Sequence, residues 1–259
     1  MYRKSKSCPR VITTLKTFTK RVIFLRLILR ITTILFLSLF LTTCSRGHPS
    51  KKVIVKPNHI IDAQKIRIEG EDPVTVIKGK LPIIISAPHA LEVPRKSGSF
   101  ADKGTGELAI MLHKICDVTV IYLSSSPPWN PNACNDNVYK ETLRELIHTE
   151  KPKLVIDLHR AHECRPFDID YGTLHGRSCS NRMVQRLTGF LKEEGITKFS
   201  SNFFSASSTD TVTKWAHLHG VEAIQLEINA TLLDFDGDRQ DLHRFSQLLQ
   251  GLSTFLLSF

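Results

Sequence analysis

In the stretch LPIIISAPH, residues 81–89, three consecutive isoleucines lead into a proline and a histidine. An unbroken β-branched run is typical of a strand buried on both faces, as in the parallel sheets of α/β proteins. The proline marks the turn that follows the strand, so His89 is expected just beyond the strand's carboxyl end. Ligands of such sheets bind in the crevice at the carboxyl ends of the strands. The stretch therefore predicts a sheet with a binding site beside His89.

Strand-like and helical patterns alternate on either side of this stretch. Apolar residues that are consecutive or β-branched predict strands, and apolar residues at helical spacing predict helices. The predicted strands cover residues 74–78, 81–88, 118–123, 153–158 and 223–228, and the predicted helices cover residues 104–116, 138–149, 181–194 and 241–257. This order predicts a single α/β domain, with a mostly parallel or mixed central sheet and helices on both faces.

The first fifty residues differ in charge from the rest of the chain. They carry ten Lys and Arg and no Asp or Glu, so residues 51–259 carry 25 residues of each sign. The net charge of +10 therefore belongs to the first segment, and the neutral remainder argues against nucleic-acid binding. We divide the chain into a basic signal or anchor segment with its linker, residues 1–50, and a folded domain, residues 51–259.

The basic segment leads into an apolar run whose uninterrupted part, residues 31–43, is thirteen residues long. That length fits the core of a signal peptide and is short for a membrane-spanning helix of about 20 residues. The run ends at Leu41-Thr42-Thr43-Cys44, which resembles a lipoprotein cleavage box with Cys44 as the lipidated residue. The sequence predicts export or anchoring in the cell envelope, and it leaves a cleaved signal peptide, a retained anchor and a lipoprotein as alternatives.

The six cysteines have no paired spacing of the kind that forms a structural zinc knuckle. Cys164 and Cys179 flank a segment that could fold back on itself. A disulfide between them is therefore an open alternative in an oxidising compartment.

Polar residues follow two of the predicted strands where a metal site is expected. His89 and Glu92 have the HxxE spacing by which an imidazole and a carboxylate can reach one zinc ion. His159 follows the strand at 153–158 and is the third predicted ligand, and Asp157 is expected to orient its ring. His162 is open to three interpretations: an alternative ligand, a substrate-site residue or an ordinary loop histidine.

Glu227 ends the next predicted strand, between two apolar residues. A carboxylate there is costly to bury unless it faces a cleft or a partner. We interpret it as the general base that takes a proton from a metal-activated water, and the alternative is a glutamate that simply faces solvent. Arg95, Asn132 and Arg165 are candidates for contacts with a substrate carboxylate.

Five short motifs occur in order between residues 86 and 229. They are Ser86-Ala87-Pro88-His89-Ala90, Thr105-Gly106-Glu107-Leu108-Ala109, Asp157-Leu158-His159, Gly172-Thr173-Leu174-His175-Gly176 and Gln225-Leu226-Glu227-Ile228-Asn229. The ordered set resembles the N-formylglutamate amidohydrolase-like proteins, relatives of zinc carboxypeptidases. The resemblance implies a phosphorylase/hydrolase-like α/β fold and hydrolysis of a carbon–nitrogen bond. It also implies that His89, Glu92 and His159 hold one zinc ion per chain and that Glu227 is the catalytic glutamate.

The chain departs from that family's pattern at positions that concern substrate binding. Ala90 is followed by Leu91, the middle segment reads Trp129-Asn130-Pro131-Asn132, and Ala230 stands where the family tends to have an arginine. The resemblance therefore predicts the metal chemistry, and it leaves the substrate open among small amide or peptide-like compounds.

The sequence thus predicts a zinc-dependent hydrolase of an amide bond in an N-acyl amino acid or a non-standard peptide. Its N-terminal segment is expected to associate with a membrane. The alternative from another class is an envelope-tethered binding protein that keeps the fold and has lost turnover. A binding protein has no need to keep metal ligands and a strand-end glutamate together. The oligomeric state is left open.

Overall fold

The computed structural model describes residues 55–208 and 210–259. The signal or anchor segment, the apolar run and Cys44 lie outside these residues. Within the described part of the chain, no helix is both long and apolar enough to cross a membrane. The described residues form one α/β domain around a seven-stranded mixed sheet.

Helices and strands largely alternate along this domain. In chain order the elements are α1 (Pro57–Lys65), β1 (Val74–Ile77), β2 (Leu81–Ala87), β3 (Val93–Arg95), β4 (Gly98–Phe100), α2 (Thr105–Cys116), β5 (Val118–Leu123), α3 (Val138–Glu150), β6 (Leu154–Ala161), β7 (Ile169–Gly172), α4 (Asn181–Glu193), β8 (Phe199–Ser201), α5 (Val212–Leu218), β9 (Glu222–Asn229), a 3₁₀ turn (Ala230–Leu232) and α6 (Arg239–Leu256).

Every strand and helix predicted from the sequence is present, with ends that shift by a few residues at most. The predicted α/β fold with a mixed sheet is therefore confirmed. The elements that the sequence analysis did not predict are α1, the β3–β4 hairpin, β7, β8 and α5. They are short, and a short element shows too few repeats of its period to be recognised.

The order of strands in the main sheet is β1-β5-β2-β6-β9-β7-β8. Strands β5, β2, β6 and β9 are parallel to one another, whereas β1 and β7 run antiparallel to their neighbours β5 and β9. The three strands expected to carry the site, β2, β6 and β9, are consecutive in this order. Their register pairs Ser86 with Asp157 and His159 with Glu227. The carboxyl ends of the three strands therefore meet at one edge, as predicted.

The core lies on both faces of the sheet because successive strand residues point to opposite sides. Ile83 and Ile85 pack with residues of α2, α4 and α6, whereas Ile84 packs with residues of α3 and α5. Each of these isoleucines is at most 1% exposed. Complete burial of such a side chain contributes about 1.5–3 kcal/mol to stability, so the isoleucine run anchors β2 from both sides.

Two helix caps fix the chain where it enters the site. The side chain of Asn137 accepts a hydrogen bond from Lys140 N at the start of α3, and the side chain of Thr211 accepts one from Lys214 N at the start of α5. A side-chain cap of this kind contributes about 1 kcal/mol and sets the direction in which the loop joins the helix. The loops before α3 and α5 therefore have defined positions beside the strand ends.

Candidate metal centre and cleft

A cleft of about 710 Å³ opens at the carboxyl ends of β2, β6 and β9. His89, Asp102, His159 and Glu227 line it. The two histidines are buried, with an exposed fraction of 4% each, and their ring centroids are 4.8 Å apart. The structure therefore brings together His89, His159 and Glu227, which the sequence analysis assigned to one site.

The third group beside the two histidines is Asp102. Its Oδ2 atom lies 3.1 Å from Nδ1 of His89 and 3.0 Å from Nδ1 of His159. Each of the three residues has one potential ligand atom that lies within 4.8 Å of the potential ligand atoms of the other two. The other carboxylate oxygen, Oδ1, accepts a hydrogen bond of 2.7 Å from Arg95, which leaves Oδ2 directed at the imidazoles.

Glu92, the predicted carboxylate ligand, does not lie with this group. Its side chain is exposed and lines a different cavity, together with Leu91 and Lys103. The HxxE spacing places a carboxylate beside a histidine only if the chain between them curls towards it. Here residues 88–90 turn and the chain then leads into β3, so Glu92 is carried away from His89.

The opposite ring nitrogens of the two histidines have partners of their own. Nε2 of His89 lies 2.9 Å from Oδ1 of Asn130, and Nε2 of His159 lies 3.2 Å from Oδ2 of Asp157. At His89 the oxygen acceptor at Nε2 favours the tautomer in which Nε2 carries the proton, so that Nδ1 presents a lone pair. That lone pair points towards Oδ2 of Asp102, which Nδ1 of His159 also contacts, so a positive charge, either a proton or a metal ion, is needed among the three groups.

The donor set therefore fits a metal ion. Two imidazoles and one carboxylate are a ligand set of catalytic zinc sites, in which a further position stays open for water or substrate. The orienting role expected of Asp157 has a clear geometric basis, since this fully buried carboxylate also accepts hydrogen bonds from Ser86 and Thr213. Such outer contacts hold ligand rings in place.

The electrostatics of the three groups favour a positive charge in the site. Burial lowers the pKa of His89 and outweighs the opposing effect of Asp102, so the ring stays neutral, as a metal ligand must. Burial also disfavours charge on His159, but the carboxylates of Asp157 and Asp102 outweigh it and raise its pKa well above the usual value, so a metal ion would have to displace the proton of this ring. Burial alone would raise the pKa of Asp102, and its hydrogen bonds to the histidines instead hold that pKa well below the usual range. The site thus attracts positive charge.

Glu227 is half-buried beside the candidate metal centre. Burial raises the pKa of Glu227 to about 7. His159 opposes this shift, and the nearby carboxylates reinforce it, namely those of Asp102, Asp170 and Asp157. One of its oxygens accepts a hydrogen bond of 2.8 Å from Gln225. A carboxyl group whose pKa lies near neutrality is suited to accept and release a proton in catalysis.

The four residues proposed to contact substrate all line the cleft, in different situations. Arg95 is bound to Asp102, and Asn132 contacts Nε2 of His159 at 3.2 Å while accepting a hydrogen bond from Val212 N. His162 is exposed and accepts a hydrogen bond from a backbone amide. Arg165 lies over the rings of Phe203 and Phe204. Arg165 and His162 are therefore the two whose side chains face the open cleft without binding the metal centre.

The two cysteines considered for a disulfide, Cys164 and Cys179, are both free. Cys164 is exposed beside the cleft and Cys179 is buried in the core. The open alternative of a disulfide between them is not the state seen in the structure.

Asp102 and Asn130 are the site residues that sequence reasoning missed. Neither follows a predicted strand directly, and both reach the histidines through loops. The β3–β4 hairpin reverses the chain so that Asp102 N donates a hydrogen bond of 2.7 Å to His89 O. A two-residue turn, Lys96-Ser97, closes this hairpin before Gly98, which has a φ of 132° that favours glycine. The glycine after a short polar turn was the sequence signal that could have revealed it.

Comparison with known proteins shows a relationship in structure rather than in sequence. No protein-family model and no curated protein matches the chain significantly. The N-formylglutamate amidohydrolase from Ralstonia eutropha superposes with a TM-score of 0.54 at 14% identity, covering 71% of this chain and 96% of that chain. A bacteriophage poly-gamma-glutamate hydrolase has a TM-score of 0.49 at 14% identity, covering 71% of this chain and 86% of that chain. The first likeness confirms the predicted fold, which is N-formylglutamate amidohydrolase-like.

Proposed function

We propose, starting from this shared fold, that the chain is a zinc-dependent hydrolase of an amide bond in a small N-acyl amino acid or peptide-like substrate. The observation that carries the proposal is the convergence of His89, Asp102 and His159 with Glu227 in one cleft. The N-formylglutamate amidohydrolase of the same fold, named for hydrolysis of an amide, adds support. The binding-protein alternative explains the fold equally well, but it gives no reason for a strand-end glutamate beside three converging ligand groups.

Each residue of the cleft has a role in this proposal. His89, Asp102 and His159 would hold the metal, which when bound supplies Lewis-acid activation of water and of the amide carbonyl. Glu227 accepts the proton of the attacking water and returns it to the amine as the carbon–nitrogen bond breaks. Asn130 and Asp157 keep the two imidazole rings in the orientation that presents Nδ1.

The experiment that tests the proposal is a substrate screen with and without metal. The protein is loaded with zinc and incubated with N-acyl amino acids and with γ-linked or cell-wall peptides, and release of free amine is measured. We expect cleavage of at least one amide, loss of that activity after chelation, and recovery when zinc is returned. Binding of a ligand without cleavage of any amide would favour the envelope-tethered binding protein instead.

The charge of the cleft favours a substrate that carries a carboxylate. Arg95 and Arg160, which also line the cleft, are bound to Asp102 and Asp234. The guanidinium of Arg165 instead rests on aromatic rings, 5.4 Å from the centroid of Phe203 and 5.0 Å from that of Phe204. Contact with a ring face leaves the N–H donors at the edge of a guanidinium free, and these donors match a carboxylate in a bidentate pair.

Arg165→Gln should therefore raise KM for a carboxylate-bearing substrate by about 10-fold or more and change kcat less, because a charge-assisted hydrogen bond contributes about 1.5–3 kcal/mol. Steady-state kinetics with the substrate and its carboxamide analogue measure the effect. Arg182→Gln, at an exposed position of α4, is the matched control. Equal KM values for wild type and Arg165→Gln would assign substrate recognition to other residues.

We further propose that residues 1–50 direct the protein to the cell envelope, with Cys44 as the lipidated residue if the segment is a lipoprotein signal. A chain that begins at residue 51 should be soluble and should unfold cooperatively at the same temperature as the full chain. Metabolic labelling with palmitate, compared between wild type and Cys44→Ser, distinguishes a lipoprotein from an ordinary signal peptide or a retained anchor. Aggregation of the shortened chain would show that the segment belongs to the folded core.

A further inference from the structure

Lys140 is a charged residue that the proposed chemistry does not use. It lies in the first turn of α3 and is fully buried, at 0% exposure. A lysine is rarely hidden to this degree, because an ammonium group loses its hydration when it is buried and needs replacement partners. The position of this side chain therefore calls for an explanation.

The ammonium group of Lys140 donates hydrogen bonds to three oxygens. They are the backbone oxygen of Cys134 at 2.6 Å, Oδ1 of Asn135 at 2.8 Å and the backbone oxygen of Asp210. A lysine has three N–H donors, so its capacity is fully used. The indole of Trp215 lies 5.6 Å away, which adds a cation–π contact.

The three acceptors belong to two separate segments. Cys134 and Asn135 are in the loop between β5 and α3, which carries Asn130 and Asn132 to the two histidines. Asp210 is in the loop between β8 and α5, and residues 203–208 of that loop form a wall of the cleft. Lys140 thus joins the loop that contacts the two histidines to the loop that lines the cleft.

Two further hydrogen bonds connect the loop before α3 to the end of the loop before α5 and to the first residue of α5. Asn135 Nδ2 donates to Oδ1 of Asp210 at 2.7 Å, and Val212 N donates to Oδ1 of Asn132 at 2.7 Å. The second bond fixes the orientation of the Asn132 amide, so that its Nδ2 atom faces His159. Any movement between the two loops would therefore shift Asn132 relative to this ring.

The charge state of Lys140 suits this arrangement near neutral pH. Burial lowers the pKa of Lys140 to about 8, and Asp210, Cys134 and Asp157 partly oppose that effect. The ammonium form, with all three donors, therefore still predominates at pH 7. An uncharged side chain of similar length would leave buried oxygen acceptors without partners.

We propose that Lys140 is a positioning residue that holds the two loops together and, through Asn132 and Asn130, sets the orientation of the candidate metal-ligand histidines. This inference rests on the proposed metal-dependent function. Lys140 does not line the cleft. Through the two loops it would nevertheless affect both the affinity for zinc and the shape of the cleft wall formed by residues 203–208.

The test compares full-length wild type with Lys140→Met and with Lys114→Met, a control at an exposed position of α2. We expect Lys140→Met to weaken zinc binding by about 10-fold or more in chelator competition, the scale on which outer contacts of ligand histidines act. Hydrogen exchange should become faster in residues 128–137 and 203–211 while β2 and β6 keep their protection. The control should match wild type in both measurements.

A double-mutant comparison separates positioning from general stability. If Lys140 acts through Asn132, the effect of Lys140→Met on zinc affinity should shrink in an Asn132→Ala background. Should Lys140→Met fail to fold, Asn135→Ala removes one acceptor at an exposed position and should weaken zinc binding in the same direction. Unchanged zinc affinity in both variants, or full additivity with Asn132→Ala, would overturn the inference.

The same data distinguish failure of this inference from failure of the proposed function. If wild type binds no zinc and cleaves no amide, the proposed function fails. Faster exchange confined to the two loops in Lys140→Met would still support the tie between them. Unchanged exchange in those loops would overturn it.

Discussion

Alanine at His89 or His159, or asparagine at Asp102, should remove zinc from the protein. Outer contacts of zinc ligands change affinity by about 10–100-fold, so loss of a ligand itself should weaken binding by at least about 100-fold. Wild type should bind close to one zinc per chain. Metal analysis after dialysis and competition with a chromogenic chelator measure both quantities.

Glu92→Gln is the decisive control for this result. Glu92 is the ligand expected from the HxxE spacing, but its side chain is exposed and lines another cavity. We expect its zinc affinity to equal that of wild type, and circular dichroism should show that all four variants are folded. Loss of zinc in Glu92→Gln together with its retention in Asp102→Asn would contradict the ligand set inferred from the structure.

Glu227→Gln should reduce turnover of the amide substrate by at least about 100-fold, the scale on which a general base contributes. The glutamine keeps the size of the side chain and its contact with Gln225, but it cannot take up a proton. Zinc content should stay at the wild-type level, since Glu227 is not among the three converging ligand groups. Steady-state or single-turnover kinetics on the substrate found in the screen provide the measurement.

Glu222→Gln is the matched control for that variant, because it makes the same change at the other end of β9. Its turnover should equal that of wild type. If Glu227→Gln turned over the substrate normally, the base would have to be another group. If no amide were cleaved by wild type while a ligand still bound at the zinc, the binding-protein alternative would become the better conclusion.

The parts of the site that lie on strands could be predicted from the sequence. The isoleucine run identified β2, and similar runs identified β6 and β9, so the expected meeting of His89, His159 and Glu227 followed from the topology of parallel sheets. Strand period and burial are local properties of the chain. The residues at the strand ends can therefore be identified as soon as the strands are predicted, even when the order of the strands in the sheet is not yet known.

The parts of the site that lie on loops could not be predicted in the same way. Asp102 reaches the histidines because a hairpin turns the chain back, and Asn130 reaches His89 from a loop that Lys140 and Asn137 hold in place. These positions depend on contacts between residues that are far apart in the sequence, and a local sequence pattern does not predict such contacts. The HxxE spacing illustrates the opposite case. Glu92 is close to His89 along the chain, which predicted that both bind one metal ion, but the two side chains are not close in space.

The position of Asp102 has a consequence for how a metal could enter. His159 lies on β6 and His89 directly follows β2, whereas Asp102 follows a hairpin whose residues 94–100 are all exposed. Segments with few buried contacts open locally at a small free-energy cost, without unfolding of the core. Two candidate ligands thus lie on or directly after strands of the sheet, and the third, itself buried, lies at the base of an exposed hairpin. The rate of metal exchange would then depend on the hairpin, and its sequence could change that rate while the sheet, and the chemistry at Glu227, stayed the same.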